Sequence, residues 1–159
     1  MLSQTTEYAL RAMVWLAYTE NELVPTSTLA ERTLVPFNYL AKVLHSLAQA
    51  NLIEGRRGVG GGYKLSRSAD QISILDIVNA ISPVHRIDSC PLGIAAHGTR
   101  LCPLHRKLDG AIASLIETFK DVSLLELLDE KEVSRPLCDP GMLEQFGLTI
   151  SGRKIIPRN

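Results

Sequence analysis

Apolar side chains recur at three- and four-residue steps in several separate stretches of the chain, and between them the periodicity collapses. From Thr5 to Thr19, the pairs Tyr8-Ala9, Ala12-Met13 and Leu16-Ala17 form a broad stripe, which predicts a first helix. Pro25-Thr26 opens a second, running to about Arg32 or Thr33, since proline is tolerated in a first turn and threonine can cap. Leu34-Val35-Pro36 is then a turn, because Pro36 breaks the helix before the next one. In that third helix Leu40, Val43, Leu44 and Leu47 line one face, while Asn38, Tyr39, Lys42, His45 and Gln49 fall on the other, with no acid among them. Asn51 can close it. Leu52-Ile53 and Tyr63-Lys64-Leu65 read as short strands around Arg56-Arg57-Gly58-Val59-Gly60-Gly61-Gly62, a run whose glycines permit a tight reversal.

Further on, Ser73 to Ile81 is a short amphipathic helix with Ser73 and Asp76 spaced as a capping box, ended by Pro83. From there to Leu101 the composition changes to Gly, Pro, His and Ser with few large apolar groups, which predicts a loop. A helix of about 18 residues begins near Cys102-Pro103. Its Leu104, Leu108, Ile112, Leu115, Phe119 and Val122 step by four, four, three, four and three, close to a heptad seam. Such a seam suits packing on a symmetry mate. Ser123 and Glu126 suggest a second capping box and a short helix to Leu128. Beyond Lys131 the pattern weakens, and Met142-Leu143 with Phe146 suggests one turn of helix. The expected fold is mainly α with a small β-hairpin wing. It comprises a winged helix-turn-helix domain (1–82), a loop (83–101), a long dimerisation helix with a short helix after it (102–130), and a tail of unknown role (131–159).

Composition narrows the function. Apolar residues at 45% support a core and 21% charged residues argue against general disorder. The formal net charge is zero, so attraction to nucleic acid has to come from a local patch. The segment from Ile53 to Ser68 supplies one: Arg56, Arg57, Lys64 and Arg67 against Glu54 alone, a balance of +3. A helix presenting polar groups, followed by a basic hairpin, suits a major groove with phosphates alongside. Arg57 is the wing's best candidate for a phosphate or minor-groove contact; Arg56, next to it, should face elsewhere on the hairpin. The glycine run lacks the Lys-Ser/Thr of a nucleotide-binding loop and the strand–GxGxxG–helix order of a dinucleotide fold. No C-x-x-C, H-E-x-x-H or G-x-S-x-G occurs, which speaks against an enzyme, and no small-molecule substrate is expected. No signal peptide or long apolar run is evident, so the expectation is a cytoplasmic protein without a membrane partner.

Tyr39-Leu40, Leu44 and Leu47, then Arg57-Gly58-x-Gly60-Gly61-Gly62-Tyr63, make the sequence resemble the IscR/NsrR family of bacterial winged-helix regulators. The similarity extends from Thr6-x-Tyr8-Ala9-Leu10-Arg11 to roughly Leu128. The resemblance implies a homodimer that binds double-stranded operator DNA, most often as a repressor, and that many members gate with an iron–sulfur cluster. It also places Asn38, Tyr39, Lys42 and Arg57 at positions where the family contacts DNA. Pro36 departs from the serine common there and removes one hydroxyl contact to the DNA backbone. Lys42 could meet guanine acceptors or a phosphate, Asn38 a base edge or a phosphate. Tyr39 has a plainer alternative, a ring packed on the second helix with only its hydroxyl reaching out.

Cys90, His97, Cys102 and His105 are four possible metal ligands within 16 residues. Cys102 and His105, three apart at a helix start, share a face, and a helix N-terminus favours a thiolate. The family resemblance implies three cysteines in this loop, sometimes with a histidine three beyond the last. Cys90, Cys102 and His105 match that pattern, the middle cysteine is missing, and His97 is the ligand-type residue between. Glu7 stands where some members supply an acidic ligand from the partner's first helix. Three readings follow: a [2Fe–2S] cluster on mixed ligands, a tetrahedral zinc site from Cys90, His97, Cys102 and His105, or a cluster-free thiol pair. The loop would then sense redox state, nitric oxide or iron–sulfur supply. Cys138 reads as a small packed side chain, and His45 and His85 as surface residues.

Overall fold

The computed structural model describes residues 2–19, 22–94, 100–129, 136–137, 140–151 and 154–157. Helix α1 (Gln4–Tyr18) starts where the Ser3 hydroxyl accepts from the Thr6 amide at 3.1 Å, a cap the hydrophobic pattern did not mark. It is the core of the molecule: Ala9, Ala12, Met13, Leu16 and Tyr18 are buried on it. Helix α2 (Thr26–Thr33) has Pro25 at its N-cap and no side-chain cap, so Thr26 does not play the capping part expected of it. Leu34 closes α2 with a left-handed backbone (φ 54°), an unusual conformation for a leucine, and lets Val35 bond back to the Ala30 carbonyl at 3.1 Å. Helix α3 (Phe37–Gln49) follows directly, with Leu40, Val43, Leu44 and Leu47 buried against α1.

Strands β1 (Ile53–Arg56) and β2 (Gly62–Leu65) pair antiparallel, Ile53 with Leu65 and Arg56 with Gly62. Both strands reach further towards the tip than the apolar residues alone suggested, leaving Arg57–Gly61 as the turn. A backbone bridge between Val24 and Tyr63 ties this hairpin to the residue before α2 (both N–O distances 2.9 Å). Gly62 is required there: a Cβ would run into the Val24 carbonyl. Together α2, α3 and the hairpin form the winged helix-turn-helix that the sequence pattern predicts.

A 3-10 turn (Ala69–Gln71) leads into α4 (Ile74–Ile81), whose capping box is complete: the Ser73 hydroxyl accepts from the Asp76 amide at 3.0 Å and the Asp76 carboxylate from the Ser73 amide at 3.1 Å. Helix α5 (Pro103–Lys120) contains no buried residue along its 18 positions. Helix α6 (Leu124–Asp129) returns to the core, burying Leu124 and Leu128 with α1. Backbone bonds from Ile74 to Val122 (3.0 Å) and from Leu124 to Ile72 (2.8 Å) lock the starts of α4 and α6 together. The second capping box is only half made: the Glu126 amide donates to the Ser123 hydroxyl, while that hydroxyl in turn donates to the Glu126 carboxylate.

The described part of the tail docks on its own chain. Helix α7 (Pro140–Gln145) buries Leu143 in the main core, and β3 (Leu148–Ser151) pairs antiparallel with β4 (Lys154–Pro157). The single helical turn expected near Met142 is therefore longer, and the hairpin after it was not foreseen. Phe146 stacks on the Arg32 guanidinium at 3.5 Å, and the Tyr18 hydroxyl donates to the Pro136 carbonyl at 3.0 Å. Burial lowers the Arg32 pKa from its usual range against the opposing pull of Glu31.

Candidate nucleic-acid interface and sensor loop

Pro36, Phe37, Asn38, Tyr39, Ala41, Lys42 and His45 are exposed on α3, opposite its buried leucine–valine row. A helix advances about 100° per residue, so Asn38 and Lys42 lie one turn apart, farthest from the core. Tyr39 packs edge-on against Tyr8 of α1, ring centroids 6.4 Å apart, and stays 59% exposed. Its ring thus rests on the first helix, not on the second as the sequence suggested.

The hairpin's charge is less than its composition implies. Lys64 pairs across the strands with Glu54 at 2.9 Å, and Arg67 with Asp76 at 3.4 Å. Arg56 turns inward along the tip and donates from Nη2 to the Gly60 carbonyl at 2.9 Å, so it holds the turn as well as carrying charge. Arg57 is exposed and joins no ion pair among the described residues. Pro25, Thr26, Ala48, Arg56, Arg57 and Tyr63 border a cleft of about 430 Å³ between the hairpin and the start of α2. A row of polar groups on α3 therefore stands beside a basic hairpin, with an open cleft between hairpin and α2. This is the arrangement that admits a helix to a major groove and places a hairpin over phosphates.

Asp109 of α5 anchors the loop between α4 and α5. Arg86 donates from Nε and Nη2 to both carboxylate oxygens of Asp109, and the Ile87 amide adds a third bond at 3.0 Å. These bonds hold the Asp109 carboxyl at about 2, below the usual carboxylate range, the Arg86 hydrogen bonds being the main cause. Cys102 is the N-cap residue of α5, and its Sγ lies 3.2 Å from His105 Nδ1, as their spacing predicts. Cys90 is half-buried in a turn closed by the Gly93 amide on its carbonyl. Glu7 is on α1, 3.0 Å from Arg11, whose Nη1 also reaches the Thr33 carbonyl at 3.5 Å. His97 and Cys138 lie outside the described residues.

Cys102 and His105 suit a metal or mixed-ligand cluster as two of its donors: a thiol at a helix N-terminus with an imidazole in contact. Among the described residues, no group of three or more His, Cys, Asp or Glu side chains gathers to hold a metal. The remaining donors are thus not brought to this pair by the described residues of one chain. Likewise, no helix among them is long and apolar enough to cross a membrane.

Fold and site together define a helix-turn-helix transcriptional regulator. Residues 2–130 match the model of the Rrf2 family, described as iron-dependent transcriptional regulators, and the chain belongs to that family. It is 27% identical over 135 residues to a chain of Aquifex aeolicus classed as an HTH-type transcriptional regulator, covering 83% of this chain and 94% of that one. Its fold is similar to CymR (YrzC), the global cysteine regulator of B. subtilis (TM-score 0.68, 21% identity, 83% and 98% of the two chains). It is similar also to T. potens IscR (TM-score 0.67, 23% identity, 83% and 88% of the two chains).

Proposed function

We propose that the chain is a homodimeric, operator-specific repressor whose Cys/His loop senses redox state, nitric oxide or iron–sulfur supply. In this reading residues 1–82 read DNA through Asn38, Tyr39, Lys42, Arg56 and Arg57, residues 83–101 sense, and residues 102–130 join two copies. One observation carries it: α5 leaves Leu104 at 64% and Leu108 at 47% exposed, and the Cys102–His105 pair stands at the start of that same helix. An 18-residue helix with an apolar seam and no buried residue lacks the covering that makes such a helix stable alone, and a symmetry mate supplies it. A change at Cys102 then acts on the element that spaces the two recognition helices.

For the cofactor we favour a [2Fe–2S] cluster on Cys90, Cys102 and His105, with Glu7 from the partner subunit as fourth donor and His97 in reserve. When bound, such a cluster supplies one-electron chemistry and reactivity towards nitric oxide or loss of iron. Zinc, or the two thiols alone, would make the same loop a structural or peroxide-responsive device.

Purification without oxygen tests the assignment. Coloured protein with iron and acid-labile sulfide in equal amounts supports the cluster, with Cys90→Ala and Cys102→Ala colourless and Cys138→Ala unchanged. Zinc without sulfide replaces it with the structural metal, and metal-free protein after reconstitution leaves the thiol switch. Gel-shift assays on duplexes enriched from a randomised pool test the DNA half independently.

A further inference from the structure

Phe37 is the first residue of α3 and is 53% exposed, although it is the largest apolar side chain on that helix. One turn on stands Ala41, also exposed, so the two form a short apolar strip. The strip runs directly beside the polar strip of Asn38 and Lys42, about 100° round the helix. The core takes nothing from it, since Leu40, Val43, Leu44 and Leu47 fill the buried face. The surroundings decide what covers it. The exposed positions of α3 carry Lys42 and His45 and no acid, and Arg57 stands on the neighbouring hairpin. An apolar strip flanked along its own helix by polar and basic groups and by no acid matches a groove floor with methyl groups between rows of phosphates better than it matches an apolar protein surface.

We infer that Phe37, supported by Ala41, reads thymine 5-methyl groups in the major groove, next to the bases met by Asn38 and Lys42. The inference rests on the DNA-binding reading above and adds a chemical feature of the preferred sequence. The N-terminal residues of a recognition helix are those that reach base edges, and Phe37 and Ala41 occupy that end. The C5 methyl of thymine is the one apolar group the four base pairs display in that groove, and alanine and phenylalanine are side chains that pack on it. Asn38 is suited to the adenine of the same or a neighbouring pair through its N6 and N7 edge. The two strips together therefore favour a half-site with at least one A·T pair under the start of α3.

The probe is a duplex enriched by the native protein from a randomised pool, with each thymine replaced singly by deoxyuridine. That exchange removes the methyl and leaves the O4 acceptor. One or two positions should weaken the native protein about fourfold each, the value of one buried methyl. Phe37→Ala should bind the thymine and uracil versions of such a position equally, and Phe37→Leu should keep most of the discrimination. Uracil tolerated at every position, or a full uracil penalty retained by Phe37→Ala, overturns the inference while DNA binding stands. A pool that enriches no sequence with the native protein overturns the DNA reading, and this inference with it.

Discussion

Arg86 grips Asp109 with two parallel hydrogen bonds of 2.6 Å each, joining the loop after α4 to the second turn of α5. The geometry is bidentate and the Ile87 amide shares the carboxylate, so the loop is anchored by three bonds at a single side chain. Neither residue belongs to any motif, and 23 positions separate them.

The Asp109 carboxyl is held down at about 2 from an ordinary 3.8. A depressed carboxylate contributes stability above its unfolded value and loses it as pH falls through the folded one. The anchor should therefore persist at neutral pH and weaken between about pH 4 and 2. The Ile87 amide resonance, followed by NMR against pH, should report a midpoint near the lower end. Asp109→Asn should remove that transition and leave the Ile87 amide exchanging faster at pH 7.

Lys42 and Arg57 should fail in different ways. Arg57→Ala is expected to weaken all duplexes alike and to lower the salt slope by about one unit. Lys42→Ala should cost about 1–3 kcal/mol on the preferred sequence and relax specificity at one position. Titrations on preferred and scrambled duplexes at several salt concentrations separate the two. Unimpaired binding and specificity in the double variant would sink the assignment of α3.

Ile112 and Leu115 sit mid-way along α5, half-buried in the single chain. Ile112→Glu would bury a carboxylate without a partner in the proposed dimer, at a cost of several kcal/mol. Sedimentation should then show a monomer with helix content close to native. If a dimer survives both Ile112→Glu and Leu115→Glu, the interface lies elsewhere.

Leu143 is buried in the main core from a short helix near the end of the chain. Leu143→Ala would cost about 2–5 kcal/mol if the chain unfolded as one unit. The tail can instead undock locally, which caps the loss at its own docking energy. Hydrogen exchange should show β3 and β4 losing protection while α1 keeps its own. Equal loss in α1 would mean that the tail and core unfold together.

Much of the fold was written in side-chain periodicity. The rows Leu40–Val43–Leu44–Leu47 and Leu104–Leu108–Ile112 each predict a helix, because apolar positions repeat with the helical turn; the first row is buried in the core and the second is left without full cover in the single chain. The Ser73–Asp76 box was legible for a similar reason: both partners lie within four residues. What escaped depends on distant partners. The Tyr8–Tyr39 contact, the Arg86–Asp109 anchor and the Phe146–Arg32 stack join residues 23 or more apart, and local spacing says nothing about them. The β3–β4 hairpin escaped because Gly152-Arg153 between the strands resembles any polar turn, and its strands are only four residues each. In the candidate metal-binding loop the Cys102–His105 contact was readable and the place of Cys90 was not, since no helix fixes Cys90 relative to them.

The return of α6 to α1 has a consequence for synthesis. Leu124 and Leu128 cover the first helix, and the strand-like bonds at Ile72–Leu124 and Ile74–Val122 fasten them there. The first 82 residues thus hold α2, α3 and the wing, but not the lid that seals the apolar face beneath them. The long helix α5 precedes that lid in the chain, so α2, α3 and the wing gain their full support only after α5 has been made. A stop codon placed after the wing should for that reason yield a sticky, chaperone-bound fragment in place of a small free-standing reader.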